Sequence, residues 1–318
     1  MKTTAQSNVK GERVNTLSRR KWNERGFLLS VWAIPTILFC MLYVYVNFNS
    51  VMLAFKHVSN DDFEYTWAGF YNFKAFIDKL AYDPSLEYAI GNSIVIYLVN
   101  MLITTPIQIL IAFFIYKRIY GTEVFKIVLF LPQVIASVIW VMLFRYFCDY
   151  GMPEVMKSLG QESIFLLDKD APIGFAMMLF YTSWIGLGGA MLVYCGTMSR
   201  IPDSVIEAGK LDGMTIMQEF VYLIIPLVYP ILSVALVTSV PSIFTNQLSM
   251  YIFFKETAGP RLYTIGYYLF IQIIGSSTAS VSQYPFAAAG GILITLVVAP
   301  FTFGMRWLVA KLDPEVSY

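Results

Sequence analysis

The sequence predicts an all-α polytopic membrane protein of six transmembrane helices with both termini in the cytoplasm. Three observations carry that reading. Of 318 residues, 57% are hydrophobic and only 14% charged, less charge than a water-soluble domain carries. The apolar stretches are long and continuous, not alternating segments of about ten residues as in a barrel. Backbone polar groups in lipid must be satisfied internally, so such stretches are helices. Basic residues are spread unevenly over the connecting segments, and that sets orientation.

In chain order, a basic tail (residues 1–25) precedes a transmembrane domain (residues 26–312) and a short C-terminal tail (residues 313–318). The tail's Lys and Arg alternate with Val, Leu and Trp. Its first ten residues read as a solvated segment, and Leu17–Phe27 as an amphipathic helix on the inner leaflet. The apolar run that follows is too long for a cleaved signal. The predicted spans are Gly26–Phe55, Tyr88–Tyr116, Ile127–Phe147, Pro172–Tyr194, Phe220–Thr245 and Phe286–Ala310, each long enough to approach or exceed the ~20 residues a bilayer requires. A further stretch, Leu262–Ile274, has 13 residues with Tyr and Gln among them. It reads as an interfacial or re-entrant helix.

Fourteen Lys and Arg fall in the tail, the second and fourth loops and the C-terminal end, against eight in the longer first, third and fifth loops. Both termini and residues 196–219 are therefore expected in the cytoplasm. His57 is the one histidine, and Cys40, Cys148 and Cys195 are widely separated. No metal or redox role is expected of them; the cysteines read as small hydrophobes.

Polar residues inside the spans form stripes. At helical spacing, Ser93, Asn100, Thr104 and Gln108 fall within about 80°. Gln133, Ser137, Trp140 and Phe144 fall within about 60°, as do Ser239, Ser242 and Asn246. The plainer reading is interhelical hydrogen bonding. The sharper one is a path for a neutral, hydroxyl-rich solute, which needs amide and hydroxyl partners and aromatic faces. An ion path would show charged residues within the spans, and the interiors of these spans have none. Gly186, Gly188 and Gly189 in the fourth span allow close packing or leave room for a ligand. Pro132, Pro226, Pro230 and Pro241 invite kinks.

No phosphate-binding G-x-x-x-x-G-K-[ST] loop and no H-E-x-x-H occurs. No loop is long enough to fold as a catalytic domain, so energy for driven work would come from another chain. Between the fourth and fifth spans lies a polar, mostly acidic stretch, IPDSVIEAGKLDGMTIMQEF, residues 201–220. Pro202, Asp203 and Ser204 suit a helix start. Ile201, Val205 and Ala208 share a face at helical spacing, and Asp212-Gly213 offers a turn. The reading is a short surface helix with a small-residue patch, Ala208 and Gly209, and then a bend into the fifth span.

This stretch resembles the EAA loop of ABC-importer permeases, which is Glu-Ala-Ala, three residues, Gly, nine residues, then Ile-x-Leu-Pro. Here the segment 201–226 carries Glu207-Ala208-Gly209, three residues, Gly213, nine residues, then Leu223-Ile224-Ile225-Pro226. Gly209, Leu223 and Ile225 depart from the pattern. Thr66–Ile77, the span before the loop, and Ala258–Thr264 are similar to segments of maltose-type permeases. The resemblance implies the type I importer arrangement and a cell-membrane location in a bacterium or archaeon. It implies a second homologous permease, two ATPase subunits that carry ATP and Mg, and an extracellular or periplasmic sugar-binding protein. Apart from membrane lipid, no other partner is implied, and no nucleic acid; no cofactor is expected on this chain.

The resemblance further implies ATPase coupling through Glu207, Ala208, Gly209 and Gly213, with Asp212 as neighbour. It places a substrate path at Ser183, Trp184, Gly186, Gly189, Ile243, Phe244, Asn246 and Gln247; Gln133 and Trp140 join from the stripe. The expected function is transport of a sugar or oligosaccharide. The alternatives are an ABC permease for another neutral solute, or a membrane-embedded enzyme or scaffold, which would need catalytic clusters that the spans lack.

Overall fold

A computed structural model describes residues 26–58, 64–118, 120–162, 164–274 and 280–313. The basic tail and most of its amphipathic reading lie outside these residues. The first span is α1, Gly26–Ala54. A short antiparallel hairpin follows, β1 Lys56–Val58 and β2 Tyr65–Trp67, in the register Lys56↔Trp67. Next come α2, Tyr71–Tyr82, and the long α3, Pro84–Tyr116. Then follow α4 (Thr122–Val134), α5 (Ser137–Ser158), α6 (Pro172–Met198) and the short α7 (Asp203–Leu211). The last helices are α8 (Ile216–Phe254, interrupted at residues 246–249), α9 (Ile265–Ile274) and α10 (Ser280–Lys311).

Among the described residues, five helices are long and apolar enough to cross a membrane, and α4 with α5 makes a sixth if counted as one span. The third span, expected over Ile127–Phe147 with a kink invited at Pro132, is instead two helices. α4 and α5 are bent by 104° about residues 135–136, where Ile135 and Ala136 are extended. Pro132 in the last turn of α4 is buried and offers no N–H to the carbonyl of Val128, which weakens the ladder just before the break.

In three other places a wider turn precedes a proline within a helix. π-helical turns at Asn100–Thr104, Phe147–Gly151 and Glu219–Ile224 each end two residues before a proline, Pro106, Pro153 and Pro226. A wider turn relieves the clash between the proline ring and the carbonyl four residues back, and lets the helix continue.

The hairpin was not anticipated. It is fastened by Asn72, whose Nδ2 donates to the carbonyls of Ala54 (2.8 Å) and Lys56 (2.6 Å), and by Phe55 stacked on Trp67 with centroids 5.6 Å apart. His57 is exposed on it. The helix α9 matches the short-helix reading of Leu262–Ile274. Its first four residues are buried, and Ser93 Oγ accepts from the Ile265 N–H at 3.0 Å.

Two main cores result. One gathers Phe144, Cys148, Tyr181, Phe253 and Tyr267 from α5, α6, α8 and α9. The other gathers Phe113, Met191, Tyr194, Ile206 and Ile224 from α3, α6, α7 and α8. α6 packs on both α3 and α4, and α10 packs on α1, α2, α8 and α9. Arg145 donates from Nη1 to the Phe253 carbonyl at 3.0 Å and pairs with Asp149 at 3.3 Å. It ties α5 to the end of α8.

Candidate functional site

The 201–226 segment is built from three capping devices. Pro202 is extended and Asp203 opens α7, where its charge favours the helix N-terminus. At the other end Gly213 has φ +77°. The Gly213 N–H reaches the Lys210 carbonyl at 3.1 Å, and the Met214 N–H reaches the Gly209 carbonyl at 3.1 Å. The 6→1 bond from Met214 with a left-handed glycine before it is a Schellman-type stop. Next, Thr215 and Gln218 form a capping box that starts α8. The T-x-x-Q spelling was present in the sequence as a signal for this start and went unread.

No side-chain atom approaches within 4 Å of where a Gly213 Cβ would sit, so the demand there is purely on the backbone. Gly213→Val is expected to cost about 1–2 kcal/mol. Gly213→Asn should cost less, since Asn tolerates the left-handed region. Thermal unfolding of the detergent-solubilised protein reads the difference.

Of the residues that share a face at helical spacing, Ile201 is buried and Val205 half-buried in the core that holds Ile206, and Gly209 is buried as well, whereas Ala208 is exposed. Gly209 is no open patch: a Cβ there would lie 3.2 Å from Met214 Sδ and 3.8 Å from Leu223 Cδ2. Met214, folded back by the Schellman turn, and Leu223 of α8 fill that side. Glu207, Ala208, Lys210, Leu211 and Asp212 are exposed. Leu211 is 89% exposed, an apolar side chain left uncovered at the end of the helix.

The substrate-path residues divide. Trp140 and Trp184 meet edge to face, with centroids 5.6 Å apart. They line one cleft of about 350 Å³ with Leu143, Phe144, Phe147 and Phe180. The buried Trp140 Nε1 and Ser183 Oγ have no hydrogen-bond partner among the described residues. Gln133 Nε2 donates to the Ile185 carbonyl at 2.6 Å, and a Cβ at Gly189 would lie 3.5 Å from the Gln133 amide. Gly186 has open space where a Cβ would be, and its carbonyl accepts from Gln108 Nε2 at 3.1 Å.

The remaining path residues sit apart from the cleft. Phe244 packs against the Phe76, Leu86 and Tyr268 cluster. Ile243 and Gln247 are half-buried. Asn246 lies past the end of the helical run, and its Oδ1 accepts from the Leu248 N–H at 2.8 Å. Ser239 and Ser242 hydrogen-bond carbonyls of their own helix. Gln108 and Ser93, from the stripe of the second span, serve helix packing, the plainer of the two readings. The stripe Gln133–Phe144 does not lie on one helix, because the break at residues 135–136 interrupts its phase.

Sequence reasoning did not find one further pair. Lys117 at the end of α3 and Glu219 in the first turns of α8 form an ion pair. They are 102 residues apart, and nothing local in the sequence joins them. No cluster of His, Cys, Asp and Glu able to hold a metal is found among the described residues.

This arrangement, a broken-helix bundle with a short surface helix leading into a long span, is that of a transport-system membrane subunit. Residues 89–318 match the family described as "Binding-protein-dependent transport system inner membrane component", and the chain belongs to that family. It is a multi-pass protein of the bacterial cell membrane. It is similar to the arabinooligosaccharides transport system permease protein AraP of Halalkalibacterium halodurans, 22% identical over 83% of this chain and 82% of the relative. It is also similar to the lactose transport system permease protein LacF of Rhizobium radiobacter, 25% identical over 95% and 97%. In fold it resembles a chain of a bacterial ABC transporter involved in the import of the acidic polysaccharide alginate, with a TM-score of 0.75, 20% identity and coverage of 92% of this chain and 99% of that one.

Proposed function

We propose that this chain is one permease of an ATP-driven importer of neutral sugars or oligosaccharides. It forms half of the translocation path beside a second, homologous permease. Residues 201–226 lie in the cytoplasm and rest on one of two ATPase subunits, where ATP and Mg are held; a solute-binding protein delivers the sugar from outside. The observation that carries the reading is the surface helix Asp203–Leu211: Ile206 and Gly209 are held by the bundle, while Glu207, Ala208 and Leu211 remain exposed for a partner. The Trp140–Trp184 cleft supports a sugar as cargo, because apolar pyranose faces stack on aromatic rings. Its lining residues carry no charge, which favours a neutral sugar. The names of the curated relatives point to the same cargo class.

Purification of the tagged chain from its own membranes is expected to bring down an ATPase and a second permease. In vesicles this complex should take up a sugar presented by its binding protein, with ATP consumed. Trp184→Ala should lower uptake by up to about tenfold, the weight of one aromatic contact. A complex without ATPase activity would sink the reading; uptake unaffected by Trp184→Ala would remove the cleft from the path.

A further inference from the structure

The Lys117–Glu219 pair lies where the surface helix hands over to the bundle. Lys117 follows the last turn of α3, where a cation complements the helix dipole, and Glu219 sits in the first turns of α8, where an anion does. The Glu219 side chain is only 6% exposed and that of Lys117 20%. The ammonium also lies 5.7 Å from the centroid of the Phe113 ring. Phe113 in turn packs on Phe220, with centroids 4.8 Å apart. A buried ion pair adds little stability over an apolar pair of the same size. What it adds is a direction and a register that apolar contacts do not specify.

The connection from α7 to this pair is short and stiff. The Schellman turn at Gly213 folds Met214 back on Gly209, and the capping box at Thr215 starts α8. The Glu219 N–H bonds the Thr215 carbonyl at 2.8 Å. A force on α7 therefore reaches Glu219 through a path with little slack.

We propose that Lys117 and Glu219 are positioning residues for coupling: the pair clamps the start of α8 to the end of α3, so that displacement of the surface helix moves both spans together. This rests on the coupling role proposed above for residues 201–226. Without the clamp α8 tilts alone, and hydrolysis proceeds without opening the path.

The test uses the importer purified with its partner chains and reconstituted in vesicles, and reads sugar taken up per ATP hydrolysed. The double variant Lys117→Met with Glu219→Leu removes both charges and keeps the volume. It is expected to assemble and hydrolyse ATP while uptake per ATP falls at least about fivefold, more than the scatter around independent, additive sites would produce. The charge swap Lys117→Glu with Glu219→Lys restores a pair and should regain at least half of the wild-type ratio. A wild-type ratio in the apolar double variant, or an uncoupled charge swap, overturns the clamp. Should the apolar double variant fail to assemble, the charge swap decides alone by the same criterion. Glu207→Lys, run in parallel, separates the two readings. If it keeps the wild-type ratio, the coupling role itself has failed; if it uncouples while the apolar double variant does not, only the clamp has.

Discussion

Gly188→Ala is expected to keep α6 from seating against α4. A Cβ at Gly188 would lie 1.9 Å from the Leu129 carbonyl oxygen and 3.3 Å from the Phe130 Cα. Both are backbone atoms, so no rotamer change relieves the overlap, and one helix must shift. The shift would carry Gln133 away from the Ile185 carbonyl and disturb the wall that leads to Trp184. Overpacking of this kind costs about 3 kcal/mol at the upper end of the usual range. That should lower the melting temperature of the detergent-solubilised protein by roughly 5 °C or more. Gly186→Ala is the control two residues away. With open space at its Cβ and helical backbone, it should be neutral or stabilising by about 0.5–1 kcal/mol. Equal melting temperatures for the two variants would show that the close approach of α6 and α4 is not what Gly188 serves.

The contrast between these glycines shows what the sequence made legible. A cluster of glycines in an oily helix signals close approach, but which glycine faces the neighbour depends on how α6 is rotated against α4, and that is a tertiary fact. The spans were legible because lipid forces long apolar runs. The break at Ile135–Ala136 was not, because both residues are apolar and the helical period runs through them unchanged. Pro132 hinted at a kink; nothing distinguished a kink from a bend of 104°. The π-helical turns share this character: the prolines were visible, but the response of the ladder two residues earlier was not.

In the 201–226 segment, the ends of the helix could be read from Pro202 and Asp212-Gly213, since capping chemistry is local. The buried face could be read only in part. Ile201 and Val205 pack into the core beside Ile206, but Ala208 is exposed and Gly209, against Met214 and Leu223, is buried in its place. Local periodicity gives a face only when its partner is known. The polar stripes teach the same lesson. Ser93 and Gln108 answer to carbonyls and N–H groups brought by α9 and α6, whereas Ser239 and Ser242 answer to their own helix.

Glu207→Lys is expected to abolish most sugar uptake while hydrolysis of ATP continues and capture of sugar by the binding protein is unchanged. Glu207 is exposed on the free face of α7, so its replacement should leave the fold intact; surface changes of this kind cost within about 0.5 kcal/mol. The surface around it is acidic, with Asp203, Glu207 and Asp212 against Lys210. Inverting one charge changes the local balance by two units on a helix only nine residues long. If that surface docks in a groove of complementary charge, the inversion leaves a partner charge buried and facing its like. Such a loss is worth about 2–5 kcal/mol, so uptake should fall by at least about thirtyfold. Ala208 beside it is exposed as well, and Ala208→Leu should act in the same direction through bulk. Uptake, ATP hydrolysis and ligand capture measured on one preparation decide the matter. Unchanged uptake with Glu207→Lys would remove this helix from the coupling path, and a melting temperature lowered by that variant would assign Glu207 to the fold instead.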